Sequence, residues 1–350
     1  MSLWLDKYRP TDLSKLHYHH EQAENLRNLT KQGDFPHLLV YGPAGAGKKT
    51  RIMCLLKELY GPGVEKLRIV KMNFTTASNK KLEVSTLSSN YHIEVNPSDV
   101  GIYDRIVVME LIKNVAQSHQ LDVNGQREFK VIVLTGVDEL TKDAQHALRR
   151  TMEKYITHCR LILCANSTSL VTPAIKSRCL SIRVPAPTAA EIINVLQIVA
   201  KKEKYNPPEE MLQTISQKCD RNLRRALLML QAASQDPKSQ IREPDWMLHI
   251  QHVADEILTQ QSIQKIANVR NMLYELIIHN IPTNIIFKTL LDKLLAKCDI
   301  SLHEKVVGLA AEYEHRLHHG NKKIFHLEAF VANFMYIYKE FLEDALDALM

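Results

Sequence analysis

The stretch Tyr41-Gly42-Pro43-Ala44-Gly45-Ala46-Gly47-Lys48-Lys49-Thr50 decides the fold of the first half of this chain. Three of the eleven glycines in the sequence fall between Gly42 and Gly47. The apolar run His37 to Tyr41 precedes them as a short strand, and Lys48 to Tyr60 follows with helical character. Strand, glycine-rich turn and helix in that order make a phosphate-binding loop. Without side chains in the way, backbone N–H groups wrap a phosphate, the helix N-terminus adds positive potential, and Lys48 brings a point charge to the β- and γ-phosphates. An ordinary glycine-rich turn would require neither the lysine nor the helix. Gly42, Pro43, Ala44, Gly45, Ala46, Gly47 and Lys48 are the first candidate nucleotide contacts, with Lys49 and Thr50 beside them.

Outward from the loop, strand-like and helix-like segments alternate, the pattern of a parallel sheet with helices on its faces. Lys130 to Thr135 and Arg160 to Ala165 read as buried strands, Asp143 to Tyr155 as a helix, Val171 to Lys176 as a short helix and Leu180 to Val184 as a last strand. Between Lys66 and Asn96 the alternating polar material reads as an extended hairpin followed by a loop. Pro185-Ala186-Pro187 ends the pattern. Beyond it, Thr188 and Glu191 form a capping box that opens a helix through Lys202. Pro208 starts a second helix and Asn222 caps a third through Ala233, giving a small three-helix unit. The polar stretch Ser234 to Pro244 leads to long amphipathic helices that run to the C-terminus. The expected division is an α/β nucleotide-binding domain over residues 1–184, a three-helix lid over 185–236 and an all-helical domain over 237–350.

The metal side of the loop departs from the usual pattern. A Ser or Thr hydroxyl should follow Lys48 to bind Mg²⁺; Lys49 stands there instead, and Thr50 comes one residue late. On a helix that shift turns the side chain by about 100°, so Thr50 does not simply replace the missing ligand. The second strand of a P-loop ATPase ends in Asp for Mg²⁺, often followed by Glu. Here Val131 to Leu134 is followed by Thr135-Gly136-Val137, and Asp138-Glu139 arrive three residues further on. They rescue the motif if the strand runs to Val137; otherwise they open the loop before the next helix, where acidic residues favour an N-terminus. Nucleotide binding survives these losses more readily than hydrolysis, and Mg²⁺ has no regular ligand at this site.

The bulk properties narrow the remaining classes. The formal net charge of +6 permits contact with a phosphate backbone without requiring it. The six scattered cysteines include no C-x-x-C pair, which favours free thiols in a reducing compartment over a disulfide framework or a zinc site. His17, His19 and His20, like His315, His318 and His319, lack ligands at metal spacing and read as solvated surface. Apolar runs are strand-sized, too short to span a bilayer, and the N-terminus lacks the features of a secretory signal. An intracellular protein is expected.

Several motifs then converge on one family. Trp4-Leu-Asp-Lys-Tyr8-Arg9-Pro10 resembles the W-x-[DE]-K-Y-R-P opening of the small subunits of the eukaryotic clamp loader, replication factor C, a branch of the AAA+ proteins. Gln145-His-Ala-Leu-Arg149-Arg150-Thr-Met-Glu153 is similar to that family's second-strand helix, and Ser177-Arg178-Cys179 to its S-R-C motif. Asn166 resembles the sensor-1 position, and Asn222-Leu-Arg224-Arg225-Ala226 the sensor-2 helix. The resemblance covers residues 4 to 230 in order, and the helical tail is similar to the family's collar. Gly136 departs from the Glu expected there in the small subunit it most resembles, which weakens the case for hydrolysis further.

The resemblance implies roles. Arg178 is the arginine finger, delivered in trans to a neighbouring subunit's γ-phosphate. Tyr8, Arg9 and Pro10 wall the adenine, Asn166 reports on the γ-phosphate, and Arg224 reaches the nucleotide from the lid. Arg105, Lys113, Arg149 and Arg150 are candidate phosphate contacts to DNA, although the helix from Asp104 to Ser118 equally suits a sliding clamp. The implied ligand is ATP or ADP. The implied partners are the other replication factor C subunits in a hetero-pentamer, the sliding clamp (proliferating cell nuclear antigen) and primer–template DNA, in the nucleus. Each site residue also has a plainer reading: a surface ion pair for Arg178, N-terminal anchoring for Tyr8 to Pro10, a loop cap for Asn166 and a solvated helix face for Arg224. A free-standing ATPase using Asp138-Glu139 and a scaffold that never binds nucleotide are the competing functions.

Overall fold

The computed structural model describes residues 2–31, 34–76, 79, 81–117, 129–235, 243–320 and 322–347. The chain divides into two compact units, residues 1–241 and 242–350. The first is built on seven strands: β1 (Leu38–Tyr41), β2 (Arg68–Thr75), β3 (Lys81–Ser88), β4 (His92–Val95), β5 (Lys130–Leu134), β6 (Cys159–Ala165) and β7 (Leu180–Arg183). They lie in the order β2-β3-β4-β5-β6-β1-β7. The five strands from β4 to β7 along that order are parallel, and β2 and β3 extend the sheet as an antiparallel hairpin. This is the expected α/β P-loop architecture.

Sheet burial explains the strand sequences. Alternate residues of β5 point to opposite faces: Ile132 and Leu134 join one core, Val131 and Val133 the other. Both faces are covered by helices, so the strand reads as a continuous apolar run rather than an alternation. One face is covered by α4 (Asp104–Gln117) and α5 (Lys142–Lys154), through Val107, Leu111, Ala144 and Leu148. The other is covered by α2 (His20–Lys31) and α3 (Lys48–Tyr60), through Leu26, Leu55, Leu56 and Leu59. Of the short helices, α6 (Pro173–Lys176) adds Ile175 to the α4/α5 core, and α1 (Trp4–Lys7) packs through Trp4 and Leu5 against the three-helix unit that follows the sheet.

One expectation is corrected. The segment after the hairpin is not a loop: it holds β4, which runs parallel to β5 with Glu94 opposite Val133. Two of its four residues are polar, and both His92 and Glu94 are buried, so no apolar run marks the strand. At the other ambiguous point, β5 ends at Leu134, and Val137–Glu139 forms a short 3-10 turn. Asp138-Glu139 therefore lies in the loop before α5.

The lid packs α7 (Ala189–Lys202), α8 (Glu209–Lys218) and α9 (Leu223–Gln235) around Ile192, Leu196, Ile215 and Leu230. Thr188 and Glu191 make the expected capping box, and Asn222 Oδ1 accepts from Arg225 N at 3.2 Å at the start of α9. The middle of the polar stretch from Ser234 to Pro244, and Ser118, lie outside the described residues. The second unit is all helical: α10 (Asp245–Thr259), α11 (Ile263–Ile278), α12 (Thr283–Leu295), α13 (Ile300–His319) and α14 (Lys323–Asp347). Its core includes Ile250, Leu273, Leu290, Phe330 and Phe334. Among the described residues, no helix is long and apolar enough to cross a membrane.

Asp104 ties α4 to α5. Its Oδ2 accepts from Thr141 N at 2.7 Å, and its Oδ1 from Thr141 Oγ1 at 2.9 Å. Thr141 in turn caps α5 by accepting from Ala144 N. The carboxylate is 1% exposed, so its loss strands buried donors, at roughly 1–3 kcal/mol. Asp104→Ala is expected to lower the unfolding free energy of the full chain, read from denaturant titration, by that amount, and an unchanged value would show that the link carries no stability.

Candidate nucleotide-binding site

The turn between β1 and α3 is where three parts of the first unit meet. Gly45 and Gly47 have φ of +76° and +84°, in the left-handed region that favours glycine. Their surroundings are equally restrictive. A Cβ on Gly42 would lie 1.9 Å from the Val184 carbonyl oxygen, one on Gly45 1.9 Å from Asn222 Oδ1 of the lid, and one on Gly47 2.5 Å from the Tyr18 hydroxyl. The loop is thus a bare backbone cradle that a side chain would fill, which suits a phosphate group.

Lys48 sits at its centre, 8% exposed. Its ammonium donates to the carbonyls of Gly42 and Pro43 at 2.6 and 2.9 Å, and to Asn166 Oδ1 at 3.0 Å. Burial pulls its pKa below the ordinary lysine value, with Cys164 and Asp138 opposing that shift and Arg224 adding to it. Asn166 is itself positioned by Asp138, whose Oδ2 accepts from the backbone N–H groups of Asn166 and Ser167 at 3.1 and 3.3 Å. Asp138 is therefore a structural support for the end of β6.

A cleft of about 530 Å³ opens beside the loop. Tyr8, Arg9 and Pro10 line one side; Ala44, Gly45, Gly47, Lys48, Lys49 and Thr50 form the floor; Asn166 and the lid's Arg224 face them. Gly42, Pro43 and Ala46 belong to the loop but not to the cleft wall. Their carbonyls turn inward, Ala46 accepting from the Tyr18 hydroxyl at 2.9 Å. The N-terminal run is anchored as well as exposed to the cleft: the Tyr8 hydroxyl donates to Glu203 at 2.6 Å, Trp4 N to Gln231 at 3.0 Å and Cys54 Sγ to the Pro10 carbonyl at 3.4 Å. Thr50 faces Arg9, accepting from its Nε at 3.2 Å, and Lys49 is ion-paired with Glu94.

Sequence reasoning missed several residues here. Val195 and Val199 of α7 and Leu223 and Leu227 of α9 give the cleft an apolar side; their i, i+4 spacing was the available signal. Tyr18 and Arg51 carried none. Arg51 is 2% exposed, donates to the Tyr18 carbonyl at 3.0 Å and lies over the Tyr18 ring, bracing the loop from beneath. His17 is not solvated surface, as expected from the sequence, but half-buried against the cleft. Burial, helped by Lys202 and His20, lowers its pKa.

The chain's likeness to known proteins agrees with this geometry. Residues 246–342 match the family described as the C-terminal domain of replication factor C subunit 3. Residues 194–235 match the RCF1/5-like AAA+ ATPase lid domain, and residues 18–188 the delta subunit of DNA polymerase III. Replication factor C subunit 3 of Homo sapiens is 58% identical over 355 residues, covering 100% of both chains. Subunit 5 of Schizosaccharomyces pombe is 50% identical, covering 96% of each. Subunit 3 of Arabidopsis thaliana is 47% identical, covering 97% of this chain and 98% of the relative. The chain belongs to the replication factor C family. A role in the clamp loader goes with that membership.

Two further sets of candidate residues lie away from the cleft. Arg178 lies outside the cleft, just past α6, where its Nε donates to Glu153 Oε1 at 2.6 Å and its Nη1 to the Ala174 carbonyl at 2.9 Å. The surface ion pair of its plainer reading is present. Arg105, Lys113 and Arg150 line one groove between α4 and α5, together with Met109 and His146. Arg149 is not on that groove, because one helical step turns it away by about 100° from Arg150.

The contact between Gly45 and Asn222 makes the loop sensitive to a single methyl. Gly45→Ala adds both a positive-φ strain and an overlap with the lid, and is expected to cost roughly 1–3 kcal/mol in denaturant unfolding. Adding Asn222→Ala removes the opposing atom, so the double variant should recover part of that loss. Strict additivity would show that the two positions do not meet.

Proposed function

We propose that this chain is a clamp-loader subunit that holds ATP or ADP for shape and serves hydrolysis in a neighbour. One observation carries the reading: a well-formed phosphate cradle around Lys48 adjoins a metal side whose side chains are turned to other partners. Thr50 is turned to Arg9, Lys49 is paired with Glu94, and Asp138 holds backbone N–H groups. A pocket of this kind binds phosphate by backbone and ammonium groups while lacking the carboxylate that orients an attacking water.

In this reading Tyr8, Arg9 and Pro10 flank the base, with the apolar side chains of α7 and α9 opposite. Gly42 to Lys48 cradles the phosphates, and Asn166 and Arg224 sense them. Arg178 projects from the surface toward the next subunit's nucleotide. Residues 1–184, 185–236 and 237–350 act as nucleotide domain, lid and collar. The partners are the other replication factor C subunits in a hetero-pentamer, the sliding clamp, proliferating cell nuclear antigen, and primer–template DNA, in the nucleus. Arg105, Lys113 and Arg150 offer cations to a phosphate backbone without reading bases. Arg149 is a weaker candidate on its different face.

Arg178→Ala separates the two halves of the proposal. ADP affinity of the purified full chain should not change, because the side chain lies outside the cleft. DNA-dependent ATP hydrolysis by the assembled complex should fall by roughly tenfold or more. Unchanged turnover by the complex would refute the finger. Hydrolysis by the isolated chain that Asp138→Asn abolishes would favour the free-standing ATPase instead.

A further inference from the structure

Lys49 occupies the helix position after the loop lysine, where a P-loop protein places its Mg²⁺-binding hydroxyl. Its ammonium is ion-paired with Glu94 of β4, a carboxylate only 8% exposed. A carboxylate so buried requires a cation, and removing that partner leaves an uncompensated charge. In most P-loop sites the nearby carboxylate belongs to the strand end and the cation is the metal. Here both members of the pair belong to the protein.

The remaining donors do not fit Mg²⁺. Thr135 Oγ1 donates to the Val95 carbonyl at 3.3 Å. Gly136, at φ +66°, has no side chain, and a Cβ there would press on Asn96 Oδ1 at 2.8 Å. Asp138 turns Oδ2 to the backbone of Asn166 and Ser167; its Oδ1 is buried without a hydrogen-bond partner, but the residue is not among those lining the cleft. Lys49, by contrast, lines the cleft together with Lys48, Thr135 and Gly136. The charges also act on one buried group: burial raises the pKa of Cys164, with Lys48 and Lys49 opposing that shift and Asp138 and Glu94 adding to it.

We infer that Lys49 is a built-in counter-cation, a tethered ammonium held by Glu94 that replaces Mg²⁺ beside the phosphates, so this site takes the metal-free nucleoside diphosphate. The inference rests on the nucleotide-holding reading above. Magnesium carried in with a nucleotide would meet a fixed like charge, a contact that a partly desolvated cleft penalises strongly. The metal-free anion meets the ammonium groups of Lys48 and Lys49 and the guanidinium of Arg9 instead. Retention of nucleotide then becomes independent of the metal that the neighbouring active sites require for hydrolysis.

The test is titration of the full-length chain with a fluorescent ADP analogue in excess Mg²⁺ and in EDTA. Wild-type affinity should be equal or higher in EDTA. Lys49→Thr removes the ammonium and sets a hydroxyl beside the Glu94 carboxylate, an oxygen pair of the kind Mg²⁺ accepts. That variant should bind roughly ten- to a hundredfold more weakly in EDTA, and Mg²⁺ should restore part of the loss. Wild-type affinity that falls tenfold or more in EDTA would overturn the inference and leave the nucleotide-holding reading standing. Wild-type affinity retained by Lys49→Thr in EDTA would do the same. No binding by the wild type in either condition would overturn both. Thermal unfolding without nucleotide reports whether the variant folds; if it does not, the wild-type comparison decides.

Discussion

The first unit closes on a turn that tolerates no side chain at three of its positions. The Val184 carbonyl at the end of β7, the lid residue Asn222 and the Tyr18 hydroxyl approach Gly42, Gly45 and Gly47 from three directions. Strand order sets the first approach, since β7 pairs directly with β1. The lid sets the second and the N-terminal segment the third. The distances leave no room for a methyl, so sheet, lid and N-terminal segment can close on the loop only because those three positions are glycine. Lys48 then has a single place to go, across the carbonyls of Gly42 and Pro43 to Asn166.

A second chain of contacts runs from strand to strand. Asp138 accepts from the backbone of Asn166, and Asn166 Oδ1 accepts from Lys48. The loop after β5, the end of β6 and the phosphate loop are thereby coupled through three polar groups in partly buried surroundings, where such bonds hold geometry firmly. Asp138 lies three residues past the position of a metal-binding carboxylate, and that offset changes its work. It supports Asn166 from behind.

How much of this was legible follows from what each element buries. The Lys48 helix and the apolar strands β5 and β6 were visible because both sheet faces are covered and the runs are continuous. The capping box at Thr188 was visible because its chemistry is local. Strand β4 was missed because His92 and Glu94 are buried polar residues with specific partners: Ser89 for His92 and Lys49 for Glu94. The same concealment hid the Lys49–Glu94 pair, since its members lie 45 residues apart in sequence and only the packing of α3 beside the sheet brings them together. Tyr18 and Arg51 were illegible for a related reason: their contacts are to backbone carbonyls, which no residue pattern advertises. Motif resemblance supplied Asn166 and Arg224 where local patterns could not, and both line the cleft.

Arg178 shows why a plain structural contact and a proposed functional one need not compete. Its ion pair with Glu153 is exposed, with side chains 36% and 53% accessible, and pairs of that kind contribute about 0–1 kcal/mol. Giving it up for a phosphate therefore costs little against a bidentate, charge-assisted contact in a drier setting. Glu153 lies on α5, which is anchored to α4 through Asp104, so the guanidinium of a turn residue is tethered to a packed helix. The contact restricts the rotamers of a long side chain and so reduces the entropy lost when it engages a target. A weak partner on a firm base is what a side chain needs if it is to be kept in place and still be released.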